Sequence, residues 1–420
     1  MIFAVLIALS TATVAYDPKL WISGDNAEFI VIARSLWAGD GWAYGNMPSA
    51  LPATRMGPLF PLLLAPLSGQ ILAMKLLVLS CFVGLVAVTA LAGGIPAAII
   101  VAVHPMLVQY SSLVMSEIPY ALLSILAIWL LPRHLAAAVA CAVLAYFTRS
   151  IGISLLVAIV VTVEKRRRWR CVCATFAAIG IWSLRNSIVG ETGSSYMQQL
   201  LAKDALAPDG EWVSIGDLAK RVLFRVEFYL GYLLAAASAV YISRSVAQRV
   251  YLCLYMGIIL AWPWADTRFM LPMVPLLCIM LLEDAWRLKI PHLRAAIIAG
   301  AIFSLAWIPI PEKTHPPNWD RYKQAGTWLR KHSPPDAVVI SRKPYLMHLY
   351  SGRKTVCYPF KPPGEVLAFM EDNGVTHVIV DPLRARTTTK YLKPAIRAEM
   401  DRFSALAQIG EDTFILERRQ

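Results

Sequence analysis

Long apolar runs separated by charge, or by proline and glycine, fill the chain up to about residue 310 and predict about eleven membrane crossings. They lie at 1–16, 71–91, 95–111, 118–131, 135–148, 151–163, 171–187, 222–241, 250–264, 269–283 and 295–310. Several are shorter than the roughly twenty residues that a straight helix needs to cross the hydrocarbon core, and 135–163 reads either as a hairpin or as one tilted helix. From about Asn318 the pattern changes. Asn318-Trp-Asp-Arg-Tyr-Lys-Gln-Ala-Gly-Thr-Trp-Leu-Arg330 reads as an amphipathic helix and Ala337-Val-Val-Ile340 as a buried strand; Glu365 to Asn373 reads as a helix, and His377-Val-Ile-Val380 and Thr413-Phe-Ile-Leu-Glu417 as strands. This alternation predicts a small α/β domain of roughly one hundred residues behind a proline-rich linker, Pro309 to Pro317. The expected fold class is therefore an all-α polytopic membrane protein with a small C-terminal α/β extracytoplasmic domain. Its domains are expected at 1–310, including a first outer loop at 17–70, and at 311–420.

Composition agrees with the pattern. The chain is 420 residues long, 57% hydrophobic and 16% charged, with a mean hydropathy of +0.55, outside the range of soluble globular proteins. The formal charge is +13. In a membrane protein such an excess is an orientation signal, and no nucleic-acid partner is expected. Glu164-Lys-Arg-Arg-Arg-Trp-Arg170 is the densest basic run, supported by Arg133-His134, by Arg244 with Arg249, and by Arg287-Leu-Lys-Ile-Pro-His-Leu-Arg294. Keeping all four on the cytoplasmic side makes 135–163 a hairpin, puts the N-terminus inside and everything after 310 outside. The chain is expected to start with an uncleaved first helix, and the lack of any Asn-x-Ser/Thr acceptor favours a bacterial inner membrane. Of seven cysteines, six lie in or beside apolar spans and only Cys357 in the polar C-terminal region, so no disulfide framework is implied.

The candidate chemistry lies beside the spans. Asp25 and Glu28 follow the first apolar run at i, i+3 spacing, close enough on one helix face to share a divalent cation or to perturb each other's ionisation. Acids beside a hydrophobic span are costly and usually functional. The expected topology places Asp25, Glu28, Arg55, Glu117, Arg149, Arg185, Asp266 and Arg268 on the outer membrane face. Any single arginine there is explained by snorkelling. The whole set suits a lipid-linked anionic substrate. Asp25 and Glu117 also read as helix caps, His104 as a satisfied core residue, and Trp42, Tyr44, Trp262 and Trp264 as interface anchors.

Short motifs in order along the chain then carry a resemblance. They are Gly24-Asp-Asn-Ala-Glu28 with Ile32-Ala-Arg-Ser-Leu-Trp-Ala-Gly39, Arg55-Met-Gly-Pro-Leu-Phe-Pro61, His104-Pro105 with Met115-Ser-Glu-Ile-Pro119, Phe147-Thr-Arg149, Trp182-Ser-Leu-Arg-Asn186 and Thr267-Arg-Phe-Met-Leu-Pro272. In this set the chain resembles the GT-C integral-membrane glycosyltransferases that use polyprenyl-phosphate sugars, of the protein O-mannosyltransferase and lipid A aminoarabinose transferase type. The resemblance implies Asp25 as the catalytic carboxylate in the first outer loop and Glu117 as a second acid that holds acceptor or cation. It departs from the family after Asp25, where Asn26 and Ala27 stand in place of a second acid; Glu28 substitutes, and a metal at Asp25 and Glu28 is put in doubt. Arg268, Arg185, Arg149 and Arg55 are implied as partners of the donor phosphate, Arg268 foremost. The lipid carrier supplies donor and leaving group, so no nucleotide cofactor is expected, and neither a Walker nor a dinucleotide motif occurs. The resemblance leaves sugar and acceptor open. The alternative reading is a transporter or flippase of lipid-linked sugars, against which the absence of an internal repeat weighs.

Overall fold

The computed structural model describes the chain except residues 23–24, 191–195, 206–210, 288–292, 313, 384 and 420. Gly24 of the first motif and the middle of the 287–294 basic run lie outside the described residues. The chain forms two compact units. One comprises Met1–Pro18 and Thr54–Pro311, the other Lys19–Ala53 and Glu312–Gln420. The linear reading keeps the whole first loop, 17–70, with the membrane domain; the contacts put Lys19–Ala53 with the C-terminal part.

The first unit is helical. Its axis is the Ile71–Val103 helix, which packs against Ile2–Val14, Glu117–Leu130 and Met273–Arg287. The sequence divides this stretch into two runs, and the backbone shows why. Gly94 takes φ 84°, ψ 173° inside the helix, a conformation open to glycine alone, and Pro96 follows two residues later. The stretch 135–163 is two helices, Leu135–Thr148 and Ile153–Thr162, separated by Arg149 in an extended conformation. The predicted run 222–241 is part of a bent pair, Ile215–Phe228 and Leu230–Ile242, with 84° between the axes. Among the described residues, Ile71–Val103 and Lys165–Val189 are individually long and apolar enough to cross a membrane, and the bent pair brings the number to three. Helix length among the described residues therefore does not confirm the expected count of about eleven crossings, several of which the sequence already shows to be short. Most of the remaining apolar helices run only 10–17 residues because glycine, proline or a polar cap interrupts each run.

The second unit holds a five-stranded sheet. Strands β1 (Val338–Ile340), β2 (Lys354–Val356), β3 (His377–Val380), β4 (Phe403–Ile409) and β5 (Thr413–Arg418) are arranged β2-β1-β3-β5-β4. β1 is parallel to β2 and β3, whereas β5 runs antiparallel to β3 and β4. Val338, Ile340, Val378 and Val380 share one core with Val366 and Met370 of the Pro363–Asp372 helix. Val339 and Ile379, equally buried, point to the opposite face by the two-residue period of a strand. Burial on both faces explains why β1 and β3 read as continuous apolar runs.

The Lys19–Ala53 segment is tied to this sheet by specific bonds. Asn46 donates to the Thr355 carbonyl of β2 at 2.9 Å, and Lys354 donates to the Gly45 carbonyl at 2.8 Å. Tyr44 and Tyr345 pack with ring centroids 5.5 Å apart.

Candidate functional site

In the first unit the chemistry centres on Glu117, whose side chain is 0% exposed. It opens the Glu117–Leu130 helix, where the first-turn amides favour negative charge. Arg149 follows the end of Leu135–Thr148, and its extended backbone turns the side chain off the helix. Its Nη1 stands 2.9 Å from Glu117 Oε1 and donates to Ser116 Oγ at 3.0 Å. Arg268 lies in the short turn Thr267–Met270, with Nη1 3.8 Å from the same carboxylate oxygen. Neither Glu117 oxygen has an aligned hydrogen-bond partner, so the contacts are ion pairs without fork geometry.

The arginine-bearing turn is held from several sides. Asp266 caps it, accepting from the Arg268 amide at 3.0 Å and pairing with Arg268 Nε at 3.1 Å. The Tyr229 hydroxyl donates to the Asp266 carbonyl at 2.9 Å and accepts from its amide, while Tyr255 donates to the Phe269 carbonyl at 2.6 Å. Both tyrosines are buried. Sequence reading missed them because nothing local marks an interior tyrosine as a support for a distant turn.

Arg55 joins through the backbone. A β-carbon at Gly57 would stand 2.4 Å from the Phe147 carbonyl oxygen and 2.9 Å from that of Thr148, so only glycine lets the 54–58 segment lie against the helix end that precedes Arg149. Asn186 donates to the Thr54 carbonyl at 3.0 Å and accepts from Arg185 at 2.9 Å. Arg185 stacks over Trp182, 5.1 Å from the ring centroid. The structure therefore brings Glu117, Arg149, Arg268 and Asp266 into direct contact and links Arg55 and Arg185 to them through neighbouring backbone. Two guanidinium groups meet one buried carboxylate here. The second acid, Asp266, is 46% exposed, so solvent screens its charge.

In the second unit Asp25 occupies the N-cap position of the Asn26–Ala38 helix without a side-chain capping bond. It is part-exposed. Glu28 is buried, and its Oε1 accepts from the Tyr44 hydroxyl at 2.8 Å, a contact that fastens the helix to the Ala43–Tyr44 strand. No group of three His, Cys, Asp or Glu side chains with metal-binding proximity occurs among the described residues. Asp25 and Glu28 thus offer a cation two carboxylates at most, one already bonded. His104 accepts from the Leu107 amide and caps its own helix.

No protein-family model matches the chain, and no curated protein matches it in sequence. Among solved structures it is similar to ArnT from Cupriavidus metallidurans. Against the form bound to undecaprenyl phosphate the TM-score is 0.62 at 13% identity, covering 99% of this chain and 97% of that one. Against the apo form the score is 0.60 at 12% identity, with the same coverage. The oligosaccharyltransferase of Archaeoglobus fulgidus, solved tethered to an acceptor peptide, gives 0.55 at 12% identity over 98% of this chain and 73% of that one. At such identities the likeness is one of fold.

Proposed function

We propose that this chain, which has the GT-C membrane glycosyltransferase fold, transfers a sugar from a polyprenyl phosphate to an acceptor hydroxyl at the outer face of a bacterial inner membrane. The observation that carries the reading is the arginine pair on Glu117. Buried or half-buried guanidinium groups beside apolar helices are costly, and a lipid-linked phosphate is the ligand that repays the cost with charge-assisted bonds. ArnT was solved with undecaprenyl phosphate, which supports the same donor class.

On this reading the acceptor oxygen forms a bond to the anomeric carbon as the bond from that carbon to the phosphate oxygen breaks. Asp25 orients the acceptor hydroxyl and takes its proton. The electron pair leaves with polyprenyl phosphate, whose growing negative charge Arg268 and Arg149 stabilise, with Arg55 and Arg185 adding positive field. The donor set at Asp25 and Glu28 does not make a cation site by itself, and no step here runs through one. The sugar class and the acceptor, whether lipid, glycan or protein, are left general.

Purified protein in liposomes, supplied with lipid-linked sugar and a cell-derived acceptor fraction, is expected to release polyprenyl phosphate only when acceptor is present. Asp25→Asn should lower that release by about two to four orders of magnitude, the range for a lost general base. Redistribution of the donor between leaflets without release identifies a flippase and rejects transfer.

A further inference from the structure

The Ile215–Phe228 helix of the first unit carries its polarity the wrong way round for a helix in water. On an aqueous surface the apolar arc of a helix faces the protein and its charges face solvent. Here the cations face inward. Arg225 is 5% exposed and donates from Nε to the Trp262 carbonyl at 3.1 Å and from Nη2 to the Pro263 carbonyl. Arg221 donates to the carbonyls of Leu200 and Ala202, each at 2.8 Å, and to that of Ala261 at 3.4 Å. Both guanidinium groups thus serve the carbonyl end of the Val246–Ala261 helix, where cations are favoured.

The apolar residues are left outside. Ile215, Leu218, Ala219, Val222 and Val226 recur at three- and four-residue spacing and form one arc. Ile215 is 90% exposed, Leu223 at the edge of the arc is 68% exposed, and Ala219 is exposed as well. Lys220 and Glu227, also exposed, lie on a separate arc. Phe224 and Phe228 stack on each other beside the arginines, with centroids 6.4 Å apart; the Arg225 guanidinium lies over Phe224, and Phe228 meets Tyr229 edge-on at 4.8 Å.

The elbow after the helix fixes its level. It meets Leu230–Ile242 at 84°, and Tyr229 at the bend bonds the Asp266 amide at 3.1 Å and the Asp266 carbonyl at 2.9 Å. Asp266 lies in the connection between two apolar helices, Val246–Ala261 and Met273–Arg287, and irregular backbone between spans belongs at a membrane face. From that level Leu230–Ile242 enters the apolar layer, while Ile215–Phe228 runs along its surface. Exposed apolar surface continues across the elbow through Leu230 and Leu234, so one lipid phase covers both helices.

We infer that Ile215–Phe228 is an in-plane membrane-surface helix, seated at the boundary between lipid headgroups and acyl chains with Ile215, Ala219 and Leu223 on the acyl side. Through Arg225 and Tyr229 the same seat holds the Arg268 turn at headgroup depth, the level of a lipid-linked phosphate. That consequence rests on the transfer reading; the seat itself does not.

The test uses the full chain in phospholipid nanodiscs. Ile215→Cys, Ala219→Cys, Lys220→Cys and Glu227→Cys, each a single change at an exposed position, are treated with a charged, membrane-impermeant maleimide. Peptide mass spectrometry reads the introduced thiol apart from the seven native cysteines. Lys220→Cys and Glu227→Cys should react fast, and Ile215→Cys and Ala219→Cys at least about tenfold more slowly, because a thiol among acyl chains is shielded from the reagent and stays protonated. A helix that dips into the membrane gives the reverse at its two ends, fast reaction for Ile215→Cys and protection for Glu227→Cys, and that result would overturn the inference. Fast reaction of all four variants, the behaviour of a helix in water, would overturn it too. Neither donor nor acceptor is present, so the outcome does not depend on whether transfer occurs.

Discussion

Each unit contains a buried acid, and the two acids are treated differently. Glu117 has Arg149 at 2.9 Å and Arg268 at 3.8 Å on the same oxygen. Asp381 has one backbone amide on one oxygen and nothing on the other, and burial pushes its pKa up from 3.8 to about 7 in spite of the nearby Arg342. The comparison teaches that burial alone does not mark a charge-handling site. In the first unit the acid organises cations, and the cluster suits a phosphate; in the second one carboxylate oxygen accepts from the Leu383 amide and the other is buried with no hydrogen-bond partner.

The largest effect should come from removing the organising acid. Glu117→Ala leaves Arg149 and Arg268 without their shared counter-charge in a buried setting, and is expected to cost about 3–5 kcal/mol of stability. Thermal unfolding of the purified variant in detergent checks it. A melting temperature equal to wild type would mean that the pairs contribute little and that the contrast with Asp381 is not real.

A smaller effect sharpens the geometric side. Gly57→Ala inserts a methyl 2.4 Å from the Phe147 carbonyl oxygen, and overpacking of this kind typically costs about 1–3 kcal/mol. Movement of the 54–58 segment should also weaken donor binding, whereas Gly180→Ala, which meets nothing within 4 Å, should do neither. Equal behaviour of the two variants would remove the packing account of Arg55.

Over a single pH unit, the smallest effect belongs to Asp381. Its pKa is raised on folding, so it contributes stability that is fully present below about pH 3.8 and is lost as pH rises through about 7. Between those values local stability at β3 should fall with a slope approaching about 1.4 kcal/mol per pH unit. Hydrogen exchange of the amides in His377–Val380 reads this, after subtraction of intrinsic exchange rates. Asp381→Asn should flatten the slope. A slope that persists in the variant would assign it to other groups, His377 among them, whose own pKa burial lowers.

How far the sequence foretold these features depends on how local each one is. Apolar runs such as Val338–Ile340 and His377–Val380 are visible as strands because both faces are buried. β4 was not expected: Phe403-Ser-Ala-Leu-Ala-Gln-Ile409 is an edge strand with small and polar positions and a bulge between Ala405 and Ala407. Its pairing comes from β5, not from its own pattern. Glu117, the first residue of its helix after the Ser116 cap, and the Asp266 cap sit in recognisable motifs, so the positions of these residues and the flanking arginines were legible. The assignment of Lys19–Ala53 to the second unit was not, because it rests on contacts such as Asn46 with Thr355 across more than three hundred residues. The same holds for Asp381, ordinary in sequence and unusual only in what surrounds it. The breaks at Gly94 and Arg149 were visible as the gaps between apolar runs, because a glycine with a proline two residues on, or a charge, interrupts the apolar pattern as well as the backbone.

The central claim is that the arginines gathered on Glu117 grip a lipid-linked phosphate, and equilibrium binding of polyprenyl phosphate to the purified protein tests it most directly. Wild type should bind. Arg268→Lys keeps the charge but loses the planar fork, so it should bind about tenfold more weakly, the consequence of losing about 1.4 kcal/mol of charge-assisted bonding. Loss of affinity should be greater in Arg268→Ala. Binding by both variants equal to wild type would contradict the account and leave the arginines as supports of the helical fold.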